Sequence, residues 1–329
     1  MHVFKKFKIL IFYNRISTIL NNRLDIRQIW GYKISSKKPS LKALADKKIN
    51  DLEKYAFQSN IMRKLGAMIY KSNSYGYISK KIDKIRDDKL LEQIKENPVP
   101  EHVAIIMDGN RRFAKEFGLT PDSGHLFGRD KIEEVLGWCF ETGIKNLTVY
   151  AFSTENFERD IEEVNTLMDL CKNELDKASK DSRIHKNKVK IRIIGRLDLL
   201  PKDISESAQY VMDETKQYDN YSFNIAIAYG GREEIIHAIQ KIANDVQEGK
   251  LKIEEIQEPV VSKYLYTNGI PDPDLILRTS GEERISNFLL WQLAYSELYF
   301  SDVYWPAFQK RDFLRAIRTC QQRKRRYGR

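Results

Sequence analysis

Beyond Pro98 and Pro100 the chain settles into an alternation of short apolar runs and longer amphipathic stretches. The apolar runs are residues 102–108 (HVAIIMD), 146–153 (NLTVYAFS), 188–195 (KVKIRIIG), 221–231 (YSFNIAIAYGG) and 274–280 (DLILRTS). Each has strand length and is rich in aliphatic or β-branched residues. Between them lie stretches with helical spacing: 128–143, closed by Gly143; 161–180; 201–218, with Pro201 in its first turn; and 232–249, closed by Gly249. Strand and helix in alternation predict an α/β fold, a mostly parallel central sheet flanked by helices with right-handed crossovers. Neither an internal repeat nor a low-complexity stretch interrupts the pattern.

The first 97 residues follow another rhythm. Residues 4–20 (FKKFKILIFYNRISTIL) mix aromatics, aliphatics and lysines as an interfacial amphipathic helix does. A break at 32–40 precedes apolar residues at helical spacing, such as Leu41, Leu44, Ala45, Ile49 and Leu52. A second break at 72–77 precedes a charged helix at 80–97. The pattern divides the chain into a basic helical N-terminal extension, 1–97, and a main domain, 98–329. The extension reads equally as a helical pad on the main domain and as a membrane-surface attachment.

Charge sharpens this division. The net charge is +10, yet residues 1–100 hold 17 Lys and 5 Arg against 6 Asp and 3 Glu, a surplus of 13 positive charges. The main domain is therefore slightly acidic, and the attraction to anionic surfaces belongs to the extension. The three cysteines, Cys139, Cys171 and Cys320, are far apart and form no CxxC pair, which argues for a reducing compartment and against a zinc site. The longest apolar run near the N-terminus, 9–13, is too short for a secretory signal or a membrane span. The expectation is a soluble cytoplasmic chain.

Candidate chemistry gathers where the apolar runs end, the edge at which open α/β sheets bind ligands. The first run ends in Asp108, Gly109, Asn110, Arg111 and Arg112; the second in Ser153, Thr154, Glu155, Asn156, Phe157, Glu158 and Arg159. The fourth ends in Tyr229, Gly230, Gly231 and Arg232, and the last runs from Arg278 and Thr279 through Glu282, Arg284, Ile285 and Ser286 to Asn287. Guanidinium forks, small hydroxyls and helix N-termini together suit phosphate, and more than one group of it. A GxxxxGK[ST] loop and a GxGxxG turn after the first strand are both missing, which disfavours nucleotide and dinucleotide enzymes. Asp108, ionised beside arginines, suits a Mg²⁺ shared with phosphate oxygens. Residues 287–300 (NFLLWQLAYSELYF) are greasy, and Ala151 is small enough to leave room for a channel, or is ordinary core. A diphosphate site beside an oily cavity implies an amphiphilic substrate.

Residues 102–118 (HVAIIMDGNRRFAKEFG), Gly124-His125, 150–159 (YAFSTENFER), 224–235 (NIAIAYGGREEI), 276–300 (ILRTSGEERISNFLLWQLAYSELYF) and 305–308 (WPAF) resemble the cis-prenyltransferases, the undecaprenyl and dehydrodolichyl diphosphate synthases. The resemblance covers about 98–329 and leaves out the extension. Arg111-Arg112 and Glu282-Glu283 look more like the archaeal and eukaryotic branch. The resemblance implies repeated, Mg²⁺-dependent condensation of isopentenyl diphosphate onto an allylic diphosphate, farnesyl or geranylgeranyl, to a long-chain carrier-lipid precursor. It implies that Asp108 places the metal and Glu297 is a second acid near it. Gly109, Asn110, Arg111, Arg112 and Phe113 match the loop that binds the allylic diphosphate, and His125 lies close to that group. Ser153, Thr154 and Glu155 match a mobile mouth segment, Asn156 a proton-relay position, and Phe157 and Arg159 its lining. Arg278, Arg284, Ile285 and Ser286 match the isopentenyl diphosphate site. Arg326-Tyr327-Gly328 resembles a tail that reaches the partner's site in a homodimer.

Two departures stand out. Residues 120–123 lack an arginine common in bacterial relatives, and Phe113 and Phe157 stand where those usually have tryptophan. A silent partner subunit is disfavoured because Asp108, Asn110, Arg112 and Asn156 are all present. A nucleic-acid-binding protein is disfavoured by the acidic main domain and the lack of basic–aromatic interleaving.

Overall fold

The chain is described here by a computed structural model, which covers residues 77–323, with side chains from Lys84 onward. The proposed interfacial stretch at 4–20 and the tail Arg326, Tyr327 and Gly328 lie outside the described residues.

Helix α1 (Tyr77–Lys95) precedes strand β1 (His102–Ile106). There follow α2 (Asn110–Glu116), α3 (Pro121–Thr142), β2 (Asn146–Ser153), α4 (Ile161–Ala178), α5 (Ser182–Lys186), β3 (Val189–Ile194), α6 (Lys202–Thr215), β4 (Tyr221–Tyr229), α7 (Gly231–Gln247) and α8 (Glu258–Tyr264). The chain closes with β5 (Leu275–Arg278), β6 (Glu297–Phe300) and α9 (Lys310–Gln322). These strands form one sheet in the order β3-β4-β2-β1-β5-β6, every neighbouring pair parallel. The α/β architecture read from the sequence is the one observed. Because helices cover both faces, β1 and β5 are buried at every residue, which is why they read as unbroken apolar runs.

The order of strands places the site. From β1 the chain passes to β2, skips to the edge at β3, comes back to β4 between them, and then crosses to the other side of β1 with β5. The crevice between β1 and β5 is thus the switch point at which such sheets bind ligands. Ile106 of β1 pairs with Arg278 of β5, so Asp108, two residues further on, emerges beside the Arg278 side chain. The β2–β4 register is irregular between Tyr150 and Ser153, with Ala151 unpaired. This bulge bends the strand end toward the turn that follows, a short 3₁₀ helix, Thr154–Glu158.

Two elements differ from the sequence reading. Helix α3 begins at Pro121 and not at Gly128, so Gly124 and His125 lie in its first turns. Thr120 caps it, accepting from the Ser123 N–H, and Pro121 occupies the first position. Strand β6 was hidden inside the greasy run 287–300, which shows no period of two.

The larger core lies between one sheet face and helices α1, α3, α4, α6 and α9, with Trp305, Phe308 and Phe313 fully buried. In α1, Ile94 is completely buried, Asp87 pairs with Arg311 of α9 at 3.0 Å, and Gln321 donates to the Ile94 carbonyl. Inside the sheet a polar ladder runs from His102 through Thr148 to Asn224, with contacts of 2.7 and 3.0 Å. Among the described residues no helix is long and apolar enough to cross a membrane.

Candidate active site

Asp108 sits beyond β1, where its backbone is locked from both sides. Its N–H donates to Thr279 Oγ1 at 2.9 Å, and its carbonyl accepts from the Thr279 hydroxyl at 2.7 Å and from the Trp305 N–H at 3.0 Å. Its carboxylate accepts from Arg112 Nη2 on Oδ1 and from Arg278 Nη2 on Oδ2, both at 2.8 Å. Burial acts to raise the pKa of this carboxyl, but the hydrogen bonds and charges of the two arginines outweigh it and hold it below the usual aspartate range.

Arg112 also donates to Glu282 and to Ser280 Oγ, each at 2.6 Å. Arg278 is 4 % exposed; its Nη1 donates to Ser286 Oγ at 2.7 Å and to the Arg284 carbonyl. The Arg284 side chain is exposed and paired with Glu282. Asp108, Arg112, Arg278, Arg284 and Ser286 therefore form one cluster, with Ile285 half-buried in the same loop.

A second cluster lies on the other side of α2. Glu163 of α4 gathers Arg159 at 3.0 Å, His125 at 3.5 Å and Arg111 at 3.6 Å. The His125–Glu163 contact is too long for a hydrogen bond, and His125 Nε2 is buried without one. Burial lowers the His125 pKa, so the imidazole is neutral at neutral pH. Asn110 Oδ1 and Arg278 Nε are likewise buried and unpartnered. Buried polar atoms without partners are uncommon in native folds and mark places built for a ligand or for water.

His125 and Asn110 also line an apolar cavity of about 320 Å³. It runs along the sheet face between α3 and α4, past Ala151 and Ile227 to Phe223 and Ile184. Ala151 is exposed in it, so its small size leaves room and is not core packing.

The mouth turn holds the remaining predicted residues. Asn156 Oδ1 accepts from the Ser153 N–H at 3.1 Å, closing the turn on itself. Glu155 accepts from Asn287 Nδ2 at 3.0 Å, and Thr154 lies beside Glu155.

The structure does not bring every expected residue to the site. Phe113 is buried against Phe117 and Phe127, because it falls on the inner face of α2, and it does not line the cavity. Phe157 packs edge-on against Phe152. Glu297 is the first residue of β6 and pairs in register with Leu275, at the edge where the parallel strands begin. Asp108 is at the edge where they end, and Glu297 accepts instead from Arg323 at 2.8 Å. Within one chain the expected second acid is therefore not beside Asp108, and among the described residues no cluster of three metal-binding side chains forms. Conversely, Glu163 was given no site role from sequence, and Ser280 and Asn287 only a place in the strand-end stretch that suits phosphate. Only the four-residue spacing of Arg159 and Glu163 on a helical stretch hinted at the first of them.

Known proteins match this arrangement. The model of the prenyltransferase family described as "Putative undecaprenyl diphosphate synthase" matches residues 106–328. A tritrans,polycis-undecaprenyl-diphosphate synthase (geranylgeranyl-diphosphate specific) of Thermoplasma acidophilum is 52 % identical over 258 residues, 78 % of this chain and 99 % of that one. The protein of the same description from Pyrococcus furiosus is 55 % identical over 240 residues, 73 % of this chain and 91 % of its own. Lavandulyl diphosphate synthase from Lavandula x intermedia, solved with dimethylallyl diphosphate, superposes with a TM-score of 0.67 at 35 % identity, covering 70 % of this chain and 99 % of that one. A family model spanning both clusters, and archaeal relatives more than half identical over three quarters of its length, establish that the chain belongs to the undecaprenyl diphosphate synthase family and is a prenyltransferase.

Proposed function

We propose that the chain elongates geranylgeranyl diphosphate by repeated condensation with isopentenyl diphosphate, each new double bond cis, to a polyprenyl diphosphate of undecaprenyl type. The observation that carries this reading is the Asp108 carboxylate held between Arg112 and Arg278 beside an apolar cavity. The relatives' names favour geranylgeranyl over farnesyl as starter.

The two clusters divide the two substrates. His125 of the second cluster lines the cavity, whereas Asp108, Arg112, Arg278, Arg284 and Ser286 do not, so the cluster of Arg111, His125 and Arg159 takes the allylic diphosphate, whose long tail must leave water at about 0.8 kcal/mol per CH₂. Isopentenyl diphosphate has a short tail and suits Arg278, Arg284 and Ser286. In both places a carboxylate, Glu163 or Glu282, occupies guanidinium donors that diphosphate oxygens would take over.

Asp108 fits a Mg²⁺ site of the kind that uses one carboxylate and fills its other positions with phosphate and water. It is ionised, and each of its oxygens accepts one guanidinium N–H, which leaves further lone pairs on both. Mg²⁺ bound there would offset charge on diphosphate. The arginines stabilise the departing diphosphate as its charge grows, from positions already fixed by their partners. Apolar walls exclude water from the allylic cation while the second substrate's double bond attacks at close range. Asn156 accepts the Ser153 N–H on its carbonyl oxygen, and a neutral amide is too weak a base to take the departing proton, so its role is to orient that proton's acceptor.

The enzyme acts as a homodimer at the cytoplasmic membrane face, drawn there by the basic extension. Deleting residues 1–76 is expected to reduce sedimentation with anionic vesicles while elongation persists.

The central test is incubation with Mg²⁺, labelled isopentenyl diphosphate and either starter, followed by sizing of the lipid products. Long-chain products from geranylgeranyl diphosphate are expected, with Asp108→Asn slower by about a hundredfold or more. Equal rates with and without chelator, or in the variant, would overturn the assignment.

A further inference from the structure

We infer that Asn287 is a positioning residue, clamping the mouth turn that carries Asn156 to the loop that carries Ser286; this rests on the prenyltransferase reading above. Its side chain ties three segments together. Asn287 Nδ2 donates to Glu155 Oε1 in the mouth turn at 3.0 Å and to Glu233 Oε2 of α7 at 3.2 Å. Its Oδ1 accepts from the Arg232 N–H at 2.9 Å, and its backbone carbonyl accepts from the Gly231 N–H at 2.7 Å. One amide thus uses both its hydrogens on separate carboxylates and its oxygen on a third partner.

The neighbouring residue carries the clamp into the reaction centre. Ser286 Oγ accepts from Arg278, and Arg278 donates to Asp108. A continuous set of contacts therefore links the turn of Asn156 to the carboxylate at the end of β1. The backbone is held in a conformation that it would not choose freely: φ is +47° at Ser286 and +62° at Asn287. Asn is among the side chains that tolerate this left-handed region, and such local cost is stored where function needs a fixed shape. The next residue anchors the segment, since Phe288 is fully buried and stacks on Tyr150 at 4.5 Å. The glycine at 230 serves the same contact. A Cβ there would come within 2.8 Å of Asn287 Nδ2, 2.9 Å of Thr154 Oγ1 and 2.0 Å of Glu233 Oε2.

Two substitutions separate the side chain from the backbone. Asn287→Gly accepts the same φ without cost but removes the amide. Asn287→Asp keeps the size but replaces a donor with a third carboxylate beside Glu155 and Glu233. The measurements are thermal midpoint, amide hydrogen exchange of residues 153–159, and kcat and KM for both diphosphates. In both variants we expect faster exchange of 153–159, beyond what any fall in thermal midpoint gives the rest of the chain, and a kcat lower by about tenfold or more with a smaller change in starter KM. Exchange and kcat in Asn287→Gly equal to those of the unsubstituted protein would overturn the clamp and leave the residue only its backbone role. A fall in kcat that merely follows a lowered thermal midpoint in both variants would overturn it too. If the unsubstituted protein did not elongate either starter, the prenyltransferase reading would fail, and the exchange rates alone would still decide the clamp.

Discussion

Asp108 keeps its charge in a half-buried place because two guanidinium groups meet its two oxygens, and the reverse dependence matters as much. Arg278 is 4 % exposed, so Asp108→Ala would leave a buried cation without its carboxylate and weaken the fold as well as the chemistry. Asp108→Asn keeps one of the two acceptors, which lessens that loss of stability while still removing the charge that would hold Mg²⁺. His102 carries a different residue-scale consequence. It is 1 % exposed, and burial lowers its pKa to about 4, only partly countered by the Pro271 carbonyl and the charge of Asp274. The unfolded chain therefore binds more protons than the native one between pH 6.5 and pH 4, and stability falls as pH drops through that window, by about 3 kcal/mol for this group. Urea unfolding across that range should show the loss, and His102→Gln should remove this part of the slope. At this scale Asp108, Arg112 and Arg278 were legible in the sequence because acids and arginines at the ends of apolar runs are conspicuous. Glu163 was not, because a Glu on a helix is ordinary until its three basic partners are seen around it.

At the scale of elements, α2 and α3 act as a pair. A Cβ at Gly124 would come within 2.3 Å of the Asn110 carbonyl, a backbone atom that cannot step aside. Gly124→Ala should force the two helices apart, costing about 2 kcal/mol. It should also reduce turnover more than this loss alone explains, since Asn110 and His125 lie on the two helices. Thermal unfolding and steady-state kinetics check both parts. The start of α3 escaped the sequence reading because two glycines, at 124 and 128, weaken its helical signal, while the Thr120 cap and Pro121 that do mark it stand before the stretch with clear helical spacing. Glu297 illustrates the same limit. Its run was visibly apolar, but only pairing with β5 decides that it opens a strand at the far edge of the sheet from Asp108.

For the whole molecule, the extension and the main domain are not separated by the prolines alone. Helix α1 lies before them and packs on α9 through Ile94 and the Asp87–Arg311 pair. Deleting residues 1–97 should therefore destabilise the protein by about 3 kcal/mol or more, measured by urea unfolding, because Ile94, Leu90 and Leu91 lose their places against the core. By itself the sequence determined the strand and helix alternation, the basic extension, the acid–arginine loops and the kinship those motifs carry. Local patterns suffice for these, since burial on both faces of a parallel sheet imprints itself directly as apolar runs. Only the tertiary structure decided the strand order, which sets Arg278 beside Asp108, leaves Glu297 at the opposite edge, and joins Glu155, Glu233 and Asn287 from three distant segments. Contacts across more than a hundred residues depend on how the sheet is wound, and no local pattern of residues records the winding.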